Sequence, residues 1–323
     1  MKPLIWIVDE EWPDYELEHR LIREKYPDCD IRHSPHNYLD DLEAFGLGAD
    51  GIITQIYAEF PAEVISRLNN CRAISVYGAG FDRVAVPAAT AKGIKVTNVP
   101  GYSNEDVSDY VMAGIYHFYK HLADLSARVR ELPWGAQALP APPQRLSHSV
   151  LHILGLGRIG RMVAAKARAN SLTVTAYDPF VPEEAMRELG VRKVDWDEGL
   201  SGADYVSVHL ILNDQTRGLV KYEDFQKMKP TAGLINAARG QVIDESGLVR
   251  ALNEGLIAGA VLDTLAVEPP TYREAIFDCP NVWVTPHTSF ISVQSFEELK
   301  RRAAVNLLIG LDGGDSPDLV NRL

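Results

Sequence analysis

Gly155, Gly157 and Gly160, in the stretch Leu154-Gly155-Leu156-Gly157-Arg158-Ile159-Gly160, have the spacing of a turn that takes a pyrophosphate. The apolar run Val150 to Leu154 predicts a buried strand, Arg158 to Asn170 a helix, and Leu172 to Tyr177 the next strand. In such a βαβ unit Gly155 permits the turn, Gly157 lets backbone approach phosphate, and Gly160 lets helix and strand pack closely. The N–H groups that open the helix, those of Arg158 and Ile159 among them, face the anion. Asp178 closes the second strand about 20 residues on, where a carboxylate accepts from both ribose hydroxyls and repels a 2'-phosphate, so NAD is expected over NADP. The other reading of these residues is a glycine turn in an unrelated α/β protein, with Asp178 capping the helix suggested by Pro182 to Leu189.

Ligands of open α/β sheets sit beyond the carboxyl ends of the strands, so polar residues following the later strands are the next candidates. Asn236-Ala237-Ala238-Arg239-Gly240 follows one strand-like run, Asp263-Thr264-Leu265-Ala266-Val267-Glu268-Pro269-Pro270 another, and Thr285-Pro286-His287-Thr288 a third. Fingerprint, Ala-Arg-Gly, Val-Glu-Pro-Pro and Thr-Pro-His, in that order, resemble the D-isomer-specific 2-hydroxyacid dehydrogenase family over nearly the whole chain. The resemblance implies that Arg239, Glu268 and His287 are catalytic, that Tyr77-Gly78-Ala79-Gly80 is the loop for a substrate carboxylate, and that Asp263 accepts from the nicotinamide amide. His209, Ala237 and Ala238, at strand ends, are expected beside the cofactor. Tyr57, Tyr77, Tyr102 and Phe290 are expected around the substrate, where their rings would suit an apolar tail or would equally pack a core.

These residue types suit that chemistry. Reducing a 2-oxo acid needs a cation at the carboxylate and carbonyl, a proton donor for the new alcohol, and a hydride held at the carbonyl carbon. Arginine offers a planar donor fork that stays charged. A histidine proton is mobile near neutrality, and a carboxylate beside the ring orients it and favours its charged form, so His287 with Glu268 is expected to be the acid/base pair. Gly78, Ala79 and Gly80 would offer unobstructed backbone N–H donors to a carboxylate.

Some positions depart from particular branches of the family. Relatives resembling phosphoglycerate dehydrogenase place arginines on first-domain loops, whereas the matching positions here are Gln55 and Val76, which disfavours a phosphorylated substrate. The chain ends at Leu323, short of the regulatory domain that many of those enzymes carry. Formate dehydrogenases of the fold pair the histidine with glutamine, while Glu268 suits a proton-coupled reaction. His152 stands where the family usually has glycine and should crowd the first nucleotide strand. A phosphoglycerate or hydroxypyruvate/glyoxylate reductase variant stays open. So does an NAD-sensing corepressor, since Asn104 to Asp109 resembles the corresponding segment of the C-terminal-binding proteins.

The elements that must position these residues follow from the wider pattern. With 323 residues, 46% of them hydrophobic and 24% charged, the chain can build two domains. Cys29, Cys71 and Cys279 are odd in number and isolated, which argues against disulfides and gives no metal spacing. A net charge of −12 disfavours nucleic acid as a partner, and no apolar run approaches a membrane span, so a cytoplasmic protein without membrane contact is expected. Strand-like runs at Leu4 to Val8, Gly51 to Thr54, Ala73 to Val76 and Ile94 to Thr97 alternate with helical stretches such as Tyr15 to Lys25 and Pro61 to Leu68. After the fingerprint, strands are expected at Tyr205 to Val208, Gly233 to Asn236, Ala258 to Leu262 and Val282 to Thr285.

The expected fold class is α/β, two Rossmann-like domains with doubly wound parallel sheets. The expected last helix, from near Ser292, returns to the first domain and makes it discontinuous. The predicted boundaries are 1–100 with 290–323 for a substrate-binding domain and 101–289 for the NAD-binding one. A single helix is predicted from Asn104 to Leu125, apolar around its circumference, and suggests a homodimer interface. The Pro-rich stretch Pro133 to Pro143 is expected to be a loop.

Overall fold

The computed structural model describes residues 2–139, 141–279 and 281–322, so Pro140 of the Pro-rich loop lies outside the described residues. The chain divides into two compact units, Met1–Tyr102 with Ser292–Leu323 and Ser103–Ile291, the first of them discontinuous.

In the first unit β1 (Leu4–Val8), α1 (Glu16–Lys25), β2 (Asp30–Ser34), α2 (Leu39–Ala44), β3 (Gly51–Gln55), α3 (Ala62–Arg67), β4 (Ala73–Tyr77), α4 (Val86–Ala91) and β5 (Lys95–Thr97) alternate. The sheet is parallel in the order β2-β1-β3-β4-β5. Helices cover both faces, which is why β3 and β4 are buried at every position and are mostly apolar. The edge strand β2, Asp-Ile-Arg-His-Ser, is half exposed and too polar to read from sequence.

The second unit opens with α5 (Asn104–Lys120) and α6 (Leu122–Arg128). It continues through β6 (Val150–Leu154), α7 (Arg158–Ala169), β7 (Thr173–Tyr177), α8 (Glu183–Glu188), β8 (Arg192–Lys193), α9 (Trp196–Gly202) and β9 (Tyr205–Val208). It closes with α10 (Tyr222–Phe225), β10 (Gly233–Asn236), α11 (Glu245–Asn253), β11 (Gly259–Leu262) and β12 (Val282–Val284). Its sheet runs β12-β11-β10-β9-β6-β7-β8, so the strand order reverses between β6 and β9. The glycine turn leaves β6 at that reversal, where doubly wound sheets take ligands. Finally α12 (Val293–Leu311) returns to the first unit and packs on β3 and β4. Ser292 caps it, its hydroxyl accepting from Ser295 N at 3.1 Å.

Two expectations need correction. The predicted helix Asn104 to Leu125 is two helices, because His121 adopts the left-handed region at φ 50° and ends α5, leaving Leu122 72% exposed. The apolar circumference of α5 is covered largely within its own unit, by α7 and β10, with Val107, Val111, Met112 and Ile115 buried. His152 does not crowd β6, since Gly199 of α9 makes the room. A Cβ on Gly199 would fall 2.1 Å from the imidazole Cε1.

Candidate functional site

The residues expected beside the cofactor gather at the carboxyl edge of the second unit's sheet. Gly155 turns at φ 93°, and a Cβ there would meet the His209 carbonyl oxygen at 2.9 Å. At Gly160 a Cβ would lie 2.3 Å from the Gly155 oxygen, so α7 starts hard against the turn. A Cβ on Gly157 would meet nothing within 4 Å, which leaves that stretch of backbone open to a ligand. The first bond of α7 runs from Arg161 N to Gly157 O, so the amides of Arg158, Ile159 and Gly160 precede it and point out of the helix start. Asp178 Oδ2 accepts from Leu156 N at 2.8 Å and Oδ1 from Phe180 N at 2.9 Å, fixing the carboxylate at the end of β7 beside the turn. A turn open at Gly157, an anion-facing helix start and a fixed carboxylate fit a dinucleotide with a free ribose.

His209 N donates to Leu154 O at 2.8 Å, and its Nε2 lies 2.8 Å from Ser207 Oγ. Burial pushes this imidazole down to about 4, so it is neutral. Ala237 and Ala238 follow β10, where Ala238 N donates to Asn236 Oδ1 at 3.0 Å.

Arg239, Glu268 and His287 come from the loops after β10, β11 and β12. Gly240 is what lets the first loop close on the second, for a Cβ there would sit 1.9 Å from the Leu265 carbonyl carbon. Glu268 Oε2 lies 3.0 Å from His287 Nδ1, both side chains being largely buried, and Glu268 Oε1 accepts from Leu265 N at 3.0 Å. Burial pushes the Glu268 carboxyl up, but the hydrogen bond and charge of His287, the Leu265 amide and the Arg239 charge together bring it below the ordinary glutamate value. Arg239 Nη1 donates to Ala238 O at 2.8 Å, and its own carbonyl accepts from Asn236 Nδ2 at 3.1 Å. The Phe290 ring lies 6.2 Å from the imidazole of His287.

Asp263 is buried and braces the loop that carries His287. Its Oδ1 accepts from Thr285 Oγ1 at 2.6 Å and Thr288 N at 2.9 Å, its Oδ2 from Ser289 N at 2.9 Å, and its carbonyl from His287 N at 3.0 Å. Sequence reasoning missed Glu245, whose Oε2 accepts from Ala266 N at 3.0 Å and so steadies the loop leading to Glu268. An acidic residue in the first turn of a helix is its only signal, and such residues are common there.

In the first unit Gly78, Ala79 and Gly80 form the loop after β4, with the Ala79 carbonyl accepting from Asn98 Nδ2 at 2.6 Å. The side chain of Tyr77 is not on that loop. It is buried, and its hydroxyl donates to Glu18 Oε1 at 2.8 Å. Gln55 is buried too, donating to Glu11 Oε2 and accepting from Ile56 N, both at 2.6 Å, and Val76 is buried in β4. Neither position offers a cation. Tyr102, half-buried, is the last residue of this unit's first segment. Among the described residues no group of His, Cys, Asp and Glu could hold a metal, and no helix is long and apolar enough to cross a membrane.

Residues 112–289 match the NAD binding domain of the D-isomer specific 2-hydroxyacid dehydrogenases. A glyoxylate reductase of Korarchaeum cryptofilum is 32% identical over 277 residues, 84% of this chain and 83% of that protein. A D-3-phosphoglycerate dehydrogenase of Bacillus subtilis is 33% identical over 248 residues, 77% of this chain but 46% of that longer protein. Among solved structures, the TT0316 protein of Thermus thermophilus superposes with a TM-score of 0.85 at 28% identity, over 98% of this chain and 100% of that one. D-Lactate dehydrogenase of Aquifex aeolicus, solved with NAD and lactic acid, does so at 0.81 and 25% identity over 96% of each chain. The chain therefore belongs to the D-isomer-specific 2-hydroxyacid dehydrogenases, NAD-binding oxidoreductases built from two parallel α/β sheets.

Proposed function

We propose that this protein reduces a small, unphosphorylated 2-oxo acid to the D-2-hydroxy acid with NADH, and runs the reverse oxidation when product and NAD accumulate. The observation that carries the reading is the 3.0 Å contact between His287 Nδ1 and Glu268, on a loop clamped against that of Arg239. With Nδ1 held by the carboxylate, the proton on Nε2 is the one delivered to the carbonyl oxygen as it becomes an alcohol. Arg239 holds the substrate carboxylate and polarises the carbonyl, its fixed charge growing in value as negative charge develops on oxygen. Bound NADH supplies the hydride. Gly155, Gly157, Arg158, Ile159, Gly160, Asp178, His209, Ala237, Ala238 and Asp263 are proposed to line the cofactor.

The first unit is proposed to be the substrate-binding domain, with the Gly78 to Gly80 amides as carboxylate donors and Tyr102 among its contacts; Phe290 is proposed to flank the substrate from the second unit. Gln55 and Val76 supply no cation for a phosphate, which supports a short acid of the glyoxylate or hydroxypyruvate kind. We further propose a cytoplasmic homodimer, supported by the free thiols and by exposed apolar side chains after α5.

The test is NADH oxidation with a panel of 2-oxo acids, repeated with NADPH. Turnover with at least one short acid, a strong preference for NADH, and a narrowing of that preference in Asp178→Ala are expected. Equal specificity constants for the two cofactors would overturn the assignment of Asp178. Tight NADH binding without turnover of any acid would replace the enzyme reading by that of an NAD-sensing binding protein.

A further inference from the structure

The loop that carries His287 is tied to a helix that has no part in the chemistry proposed above. Thr285 Oγ1 donates its single proton to Asp263 Oδ1 at 2.6 Å, so toward Tyr110, whose hydroxyl lies 2.7 Å away, it can only accept. The direction of the chain of bonds is thereby fixed. Tyr110 donates to Thr285, Thr285 to Asp263, and the Asp263 carboxylate and carbonyl together hold residues 287, 288 and 289.

Tyr110 belongs to α5, and α5 is anchored at its other side to the nucleotide helix. Lys166 of α7 donates to the Glu105 carbonyl at 3.0 Å and pairs with Asp109 at 2.5 Å. The helix Asn104–Lys120 thus grips the element that starts at the glycine turn with one face and the loop of the proton donor with the residue next to Asp109. Side-chain bonds of this kind hold a geometry that the loop between β12 and α12 would otherwise leave to its own flexibility.

We propose that Tyr110 is a positioning residue: through Thr285 and Asp263 it sets the loop of His287 in register with the nucleotide helix. The proposal rests on the reading of His287 as proton donor for its catalytic half, and on the hydrogen-bond chain alone for its structural half. Tyr110→Phe keeps the ring and its packing and removes one neutral hydrogen bond, which corresponds to a loss in turnover of about three- to tenfold. Thr285→Val cuts the chain at its middle and should cost more. Because Tyr110 acts only through Thr285, adding Tyr110→Phe to Thr285→Val should lower turnover no further, whereas independent effects would multiply. Thr285→Ser restores both bonds and should restore the rate.

Two measurements decide it, on the full chain. Hydrogen exchange read by mass spectrometry should show faster exchange at the Thr288 and Ser289 amides in Tyr110→Phe and Thr285→Val, wild-type exchange in Thr285→Ser, and no change in the peptide of the glycine turn. Turnover per NADH-binding site, with NADH affinity from fluorescence titration, should fall in the first two variants at unchanged affinity. Unchanged loop exchange in Tyr110→Phe would overturn the proposal whether or not the protein reduces any acid. So would a loosened loop with wild-type turnover in an active enzyme, or multiplicative losses in the double variant. A wild type that turns over no 2-oxo acid would instead sink the proposed function, with the tether still judged by exchange.

Discussion

At Glu268 burial and pairing oppose each other, and pairing wins, because an imidazole, an arginine and a backbone amide all favour the charged carboxylate. The sign of the linkage follows. A carboxyl held below its usual value near 4.5 stabilises the folded chain fully above that pH, and the contribution is lost as pH falls through the lowered value. Glu268→Gln keeps a hydrogen-bonding partner for His287 and removes the counter-charge of the imidazolium. Its acid unfolding below pH 4.5 should be shallower than that of the wild type, and loss of reductase activity should move to lower pH. Superimposable pH–rate midpoints would mean that Glu268 is not coupled to the proton donor. The candidates for this site are legible in the sequence because each lies just beyond a strand, in motifs whose order is distinctive. It did not show Tyr110 or Glu245, whose partners lie 175 and 21 positions away and are fixed only by folding.

Among the elements, β6 carries an imidazole where an apolar side chain would be expected, and the structure supplies the reason it is tolerated. His152 Nδ1 lies 3.0 Å from Thr175 Oγ1, Nε2 has no partner among the described residues, and burial, with Arg192 adding to it, pushes the ring down to about 4. The folded ring stays neutral while the unfolded one takes a proton below 6.5, so stability should fall from pH 6.5 to about 4, by on the order of 3 kcal/mol from this group. His209, also down to about 4, adds a loss of the same sign. His152→Val should flatten that slope in urea denaturation whatever it does to the absolute value. Gly199→Ala drives a methyl onto the ring and should cost about 1–3 kcal/mol, recovered in large part when combined with His152→Val. If the single Gly199→Ala unfolded at the wild-type midpoint, the packing account would fail. The strands most legible from sequence were those buried on both faces, such as Tyr205–Val208 and Gly233–Asn236. The edge strands β2 and β8 were not, because one is polar and half exposed and the other has two residues. Short helices of six residues, such as α2 and α4, bury one or two side chains and leave no period to read.

For the whole molecule the question is what covers the apolar side chains that neither unit buries. Phe180 and Ile211 are 87% and 80% exposed, but they follow β7 and β9 at the carboxyl edge of the sheet, where a bound dinucleotide has surfaces to set against them. Leu122, Val129 and Trp134, at 72%, 51% and 91%, lie after α5, in a segment that contributes no proposed ligand residue. Burying such a side chain is worth about 1.5–3 kcal/mol, and a two-fold pair buries each of them twice. The support for a homodimer is therefore this segment rather than the circumference of α5, much of which α7 and β10 already cover. Light scattering at micromolar concentration should return twice the 35.7 kDa of one chain. Trp134→Glu together with Leu122→Glu places two charges per chain in the proposed interface and should return a folded monomer with intact NADH binding. A wild type of monomer mass would overturn the dimer outright. A double variant that stayed dimeric would move the interface away from this segment.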